Sequence, residues 1–224
     1  MVVSQLTLSQ SATSPLEFQV TNTVASTYPR TYFEGGDSSS DSNWVMRFAD
    51  TYSSGGNTVV VVVSGLHWIE NLVGNTGVDN FIFLSGGSYA GNLNGAGNED
   101  VLNYSAYGSN ANVILTALGS MDGFAGTTTG LGGTFTNLDI LIGGAGTDSL
   151  TGMNATAIWE LDGSDRYFVG TNDFEFSAVE NLIGGAGVDT FVFANAAVFN
   201  GSINGGGPLV RLKTYKGTLR VVAR

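Results

Sequence analysis

Three aspartates close glycine-rich corners of nearly the same sequence: residues 74–79 read GNTGVD, 143–148 read GGAGTD and 184–189 read GGAGVD. Glycine tolerates positive φ, so such a corner can turn successive carbonyls toward one point. The aspartate adds a charged oxygen where the turn ends. Hard Ca2+ takes about six to eight oxygens, from carbonyls and carboxylates together, so cation ligation is the chemistry this pattern suits. One corner supplies about half such a shell, and a second corner would have to face it. The same residues also suit a tight turn whose aspartate accepts hydrogen bonds from turn amides without any ion. The residues alone leave both readings open.

The elements that would position these corners are short strands. Residues 70–83 (ENLVGNTGVDNFIF) and 180–193 (ENLIGGAGVDTFVF) agree at nine of fourteen positions at an offset of 110. Within that long repeat, glycine-rich corners recur at about 20-residue intervals, except between 95 and 143, where two less regular coils are expected. Alternating apolar segments follow the corners at 57–65, 79–86, 100–106, 165–170 and 189–195, and shorter ones precede them. Two short strands and two turns per repeat describe one coil of a parallel β-solenoid, and no coil buries its apolar face alone. The inward positions are Leu72, Phe81, Phe83, Leu93, Leu102, Leu141, Leu150, Leu182, Phe191 and Phe193. The expected fold is all-β: a right-handed parallel β-solenoid or β-roll over 51–207, with residues 1–50 as an irregular N-terminal cap and 208–224 as a divergent tail.

Composition agrees. The 224 residues include 33 glycines and only three prolines, which favours turns over helices. The 19 acids and eight bases give a net charge of −11, but five bases lie after residue 207, so 19 acids against three bases leave −16 on residues 1–207. Such a body repels nucleic acid and attracts cations. The absence of cysteine excludes disulfides and thiolate chemistry. The longest unbroken apolar run, Val59–Val63, is far too short to span a membrane.

The corners at 142–150 and 183–191 fit the nonapeptide G-G-x-G-x-D-x-U-x, and 74–82 fits it with Asn75 in place of the second glycine. In these residues the chain resembles the hemolysin-type (RTX) calcium-binding repeat proteins, and its 110-residue module resembles repeats of giant bacterial surface proteins of the cyanobacterial kind. The resemblance covers about residues 70–207. It implies Ca2+ sandwiched between stacked corners, with carboxylates from Asp79, Asp148 and Asp189 and carbonyls from Gly74, Thr76, Gly143, Ala145, Gly184 and Ala186. Weaker matches add Glu99 or Asp100 and Asp165, and the pairs Asp79/Asp100 and Asp148/Asp165 are the expected sandwich sites. It further implies an extracellular or cell-surface protein exported by a type I system, adhering to surface polysaccharide or to another surface protein.

Little speaks for an enzyme. His67 is the single histidine and reads as a strand residue beside Trp68. No G-x-S-x-G elbow is present. Asp162, Asp165 and Arg166 form a polar cluster that a solvated turn explains. Asp37 and Asp41 lack EF-hand spacing. Trp44, Trp68 and Trp159 could stack on sugars but read first as packing residues. Two further functions stay open: an ancillary solenoid of a polysaccharide-modifying enzyme, and a metal-free structural spacer. The basic tail fits either a divergent reading frame or a basic anchor.

Overall fold

Short apolar runs punctuated by glycine corners form strands throughout. The computed structural model describes the backbone of the strands Glu17–Gln19, Thr31–Glu34, Ser42–Met46, Thr51–Ser54 and Asn57–Val62, and the chain from 69 to 214 except 75–76, 195–196 and 208; side chains are described from residue 71. Among the described residues there are 21 strands in two sheets, one of twelve and one of nine, and no helix. No described helix is therefore long and apolar enough to cross a membrane.

From Ile69 onward the chain alternates between the sheets. Ile69–Val73 lies in the nine-stranded sheet, Asp79–Phe83 in the twelve-stranded one, Asn92–Asn94 back in the first and Val101–Asn103 again in the second. Successive passes pair in parallel, placing Leu72 against Leu93 and Phe81 against Leu102. The second repeat does the same with Asn181–Ile183 and Ser202–Asn204, and with Asp189–Phe193 and Val210–Thr214. In these four pairs the step is 21 residues.

Elsewhere the step is longer, because antiparallel meanders interrupt the parallel stack. Three are present among the described residues: Ser42–Met46 with Thr51–Ser54 and Asn57–Val62; Asn112–Leu118 with Phe124–Thr128 and Phe135–Leu138; and Ala157–Leu161 with Arg166–Val169 and Asn172–Ser177. The two sheets are thus mixed parallel and antiparallel, which corrects the expectation of a purely parallel stack. The stretch 95–143 holds one such meander instead of two coils. The third meander's turns use glycine. Gly163 and Gly170, at the two ends of the third meander's middle strand, take φ of +99° and +65°. Such values are open to glycine and strained for other residues, although Gly86 and Gly206 adopt them at corners that cross between the sheets.

The meanders also lengthen the repeat. Trp44 pairs with Tyr52 and with Phe81, and Trp159 pairs with Tyr167 and with Phe191. The core lies between the sheets. Of the ten positions expected to face inward, nine are buried and Phe193 is half-buried. Trp159 stacks on Phe191 with ring centroids 5.3 Å apart, and Phe83 stacks on Tyr104 at 4.8 Å. Each large side chain so buried contributes roughly 1.5–3 kcal/mol.

Candidate functional site

Because the strands are parallel from pass to pass, corners leading from the nine-stranded to the twelve-stranded sheet gather along one edge, and corners leading back gather along the other. Asp79, Asp100 and Asp189 end corners of the first kind, whereas Asp148 ends one of the second kind. The three motif aspartates therefore do not stand above one another, and the acids form two separate ladders.

On the first edge the ladder runs Asp79, Asp100, Asp139. The Asp79 amide donates to Asp100 Oδ1 at 2.8 Å, and the Asp100 amide donates to Asp139 Oδ2 at 3.0 Å. Each acid thus caps the backbone of the preceding pass. The corner can be this tight only with glycine at its start. A Cβ on Gly74 would overlap the Asp79 carboxylate and the Gly95 carbonyl, and one on Gly95 would overlap the Asp100 carboxylate and the Asn137 carbonyl. Carboxylate and carbonyl oxygens therefore converge beside the same Cα. Asp79 and Asp100 are fully buried. Asp100 Oδ2 has no hydrogen-bond donor, nor does the buried Oδ1 of Asp122, whose Oδ2 accepts the Asn98 amide at 3.0 Å. Burial pushes the Asp100 carboxyl up to about 9, with the charges of Asp79, Asp139 and Asp122 adding and the Asp79 amide opposing. Burial likewise raises Asp139 to about 6, with Asp122 and Asp173 among the charges adding to it. Glu99 is exposed beside this ladder.

On the opposite edge Asp148, 1% exposed, accepts the Ala111 amide at 2.7 Å on Oδ1 and the Gly144 amide on Oδ2. Its own amide donates to Glu180 Oε2 at 2.7 Å. Gly143 packs against the Ala178 carbonyl, and Ala145 is exposed. The neighbour of Asp148 is therefore Glu180. Asp165 instead closes its own hairpin, accepting the amides of Asp162 and Gly163 at 3.1 Å each. The expected Asp148/Asp165 pair is not assembled.

In the second repeat Asp189 is fully buried and accepts Trp159 Nε1 at 3.0 Å. Its Oδ2 receives no hydrogen bond of good geometry, although the Gly185 amide is near enough to favour the charge; burial outweighs both donors and raises the carboxyl. The Gly184 and Ala186 carbonyls lie close against Gly206 and Gly207 on the next pass. Thr76 lies outside the described residues, as do His67, Trp68 and Asp37.

Asp122, Asp139 and Glu180 were missed in sequence. Asp139 carries a usable signal, since it directly precedes a strand as Asp100 does, and Glu180 belongs to the repeated ENL triplet. Asp122 carries none, because a meander brings it to the corner. Arg166 makes ion pairs with Asp173 and Glu175, so the polar cluster around Asp162 is a salt-bridged hairpin. Trp159 is core, not a sugar platform.

Chemically, these edges offer oxygens: carboxylates poorly solvated and held against backbone carbonyls. No set of three or more acidic or histidine side chains among the described residues forms a ready metal centre, so any ion would draw much of its shell from carbonyls or water. Family models, curated proteins and solved structures offer no match to this chain.

Proposed function

We propose that the chain is a calcium-binding structural or adhesive repeat segment of a secreted or cell-surface protein, built as a right-handed parallel β-solenoid with inserted meanders. One observation carries the reading: the fully buried Asp100, with an unsatisfied oxygen, stacked on Asp79 and Asp139 where glycine lets carbonyls approach. Ionising that buried, donorless oxygen is costly, so without a partner the carboxyl keeps its proton, and a divalent cation is the simplest partner that would remove the cost for several acids at once. The likeness of 142–150 and 183–191 to RTX nonapeptides supports Ca2+ as that cation, and the charge of −16 on residues 1–207 supports the same sign of partner. Ion binding would then be linked to folding, leaving the chain loose where Ca2+ is scarce and ordered outside the cell. Adhesion to surface polysaccharide or to a neighbouring surface protein is the matching role.

A metal-free spacer is the second reading, favoured by the amide donors that already reach Asp100, Asp139 and Asp148. Circular dichroism melting after chelation, with and without added Ca2+, separates the two. A rise in Tm that grows with Ca2+ and is not matched by Mg2+ is expected. An unchanged melt would leave the spacer.

A further inference from the structure

The corners share a cap that one of them lacks. Four residues before the acid, the Gly144 amide donates to Asp148 Oδ2, and the Gly185 amide favours the charge on Asp189. The equivalent amide before Asp100 is that of Ala96, and it donates instead to Asn94 Oδ1 at 3.0 Å. Asp100 takes the Asp79 amide on Oδ1, and its Oδ2 is left buried with no donor. A buried oxygen in that state calls for a partner. What faces it is another oxygen. A Cβ on Gly95 would overlap both Asp100 Oδ2 and the Asn137 carbonyl oxygen, so the two lie close enough for one cation to touch both. The hairpin between Asn112–Leu118 and Phe124–Thr128 brings a second carboxylate. The Met121 amide donates to Asn137 Oδ1 at 3.0 Å, and Asp122 Oδ2 accepts the Asn98 amide at 3.0 Å, which holds the hairpin to this corner. Asp122 Oδ1 is then buried without a donor as well. Among the described residues four non-glycines take positive φ, and three of them, Ala96, Asn98 and Asn137, are at this corner. Such strain persists only where the surroundings enforce it, and it gathers at ligand clamps.

We propose that, of the corners ending in Asp100, Asp148 and Asp189, the first alone takes Ca2+, with Asp100 Oδ2, Asp122 Oδ1 and the Asn137 carbonyl oxygen as its protein ligands. This rests on the calcium reading above and narrows it, because two of the three ligands come from the meander and lie outside the nonapeptide pattern. Two carboxylates and a carbonyl are the mixed hard-oxygen set that Ca2+ takes, and water fills the rest of its about six to eight positions. The other two corners offer less. Amides occupy both oxygens of Asp148. Asp189 already has Trp159 Nε1 on Oδ1, and the slot on the next pass, beside Gly205, holds the Val210 side chain in place of an acid. Asp122 and Asn137 flank the meander's middle strand, so the ion fastens the meander to the first repeat, and loading is linked to the order of its first turn.

The test is calorimetric titration of the full chain, stripped with chelator, against Ca2+, together with hydrogen exchange of residues 119–123 with and without the ion. Asp122→Asn keeps an acceptor for the Asn98 amide and removes the charge. It should bind Ca2+ about tenfold more weakly or worse, since affinity follows the charge count of the ligands. Its melting temperature in chelator should be unchanged or higher. Asp148→Asn and Asp189→Asn should keep the wild-type affinity. Where a variant fails to fold, the wild-type exchange decides: Ca2+ should slow exchange at 119–123 and leave the hairpin at 162–165 unchanged. A wild-type chain that takes up no Ca2+ removes the calcium reading and this assignment together. A wild-type chain that binds, with Asp122→Asn binding equally well, overturns the assignment and leaves the calcium reading standing. Equal loss of affinity in Asp148→Asn or Asp189→Asn, or unslowed exchange at 119–123 in a chain that binds, does the same.

Discussion

Asp79 donates its backbone amide to the side chain of Asp100 at 2.8 Å, whereas the strand partner of Asp189, the repeat equivalent of Asp79, is Val210. The slot beside Gly95 that holds the Asp100 carboxylate is occupied beside Gly205 by the Val210 side chain. The first repeat therefore stacks acid on acid, and the second does not. That difference makes the first repeat the electrostatically strained one and, on the proposed reading, the repeat in which Ca2+ would matter more.

Replacing Asp100 with Asn keeps an oxygen for the Asp79 amide and removes a buried charge. In chelator at pH above 9 the variant should melt higher than wild type by several degrees, since about 1 kcal/mol moves Tm by roughly 2–4 °C for a chain of this size. In Ca2+ the order should reverse. Val210→Asp should do the opposite, lowering the metal-free Tm and enlarging the Ca2+ response. Paired thermal melts of both variants check this; a Ca2+ response untouched by Asp100→Asn would remove that corner from the site.

Stability should fall as pH rises in the absence of metal. Asp100 and Asp139 have folded-state values raised to about 9 and about 6 from 3.8, so between about pH 4 and 9 the folded chain holds protons that the unfolded chain has released. Their contribution is full below about pH 4 and is lost progressively until pH passes 9. A cation that occupies the ladder should flatten this slope. Urea midpoints measured from pH 5 to 9, with and without Ca2+, provide the check, and a metal-free stability rising over that range would contradict it.

Gly95→Ala should destabilise by about 1–3 kcal/mol, the usual range for overpacking, because the added methyl must displace either the Asp100 carboxylate or the Asn137 backbone. Gly163→Ala meets no neighbouring atom, and its cost should come from the strained φ of +99° alone. Chemical denaturation of the two variants compares crowding with conformation. Only Gly95→Ala should also weaken the Ca2+ response.

Trp159→Phe keeps an aromatic ring against Phe191 but removes the donor to Asp189 Oδ1. Leaving that oxygen without its donor should cost about 1–3 kcal/mol while the carboxyl is ionised, and less where it is protonated. The pH dependence of the difference in denaturation midpoint distinguishes this from a simple packing loss, which would not vary with pH.

Much of this was written locally. The alternation of large apolar residues after each corner, as in Phe81 with Phe83 and Phe191 with Phe193, set strands and their inward faces, because a period of two needs no knowledge of neighbours. The glycine before each aspartate likewise marked where backbone and carboxylate crowd together, and the 110-residue offset marked two copies of one unit. Tertiary structure alone decided which acids meet. Whether a strand crosses to the other sheet or turns back depends on which surface its apolar face can cover, and three antiparallel meanders changed the spacing that a uniform coil would have had. They brought Asp122 beside Asn98 and set Asp139 directly after Asp100 in the ladder, while Asp148 lies on the far edge with Glu180. Contacts between groups 20 to 40 residues apart depend on every intervening turn, so no local pattern can carry them.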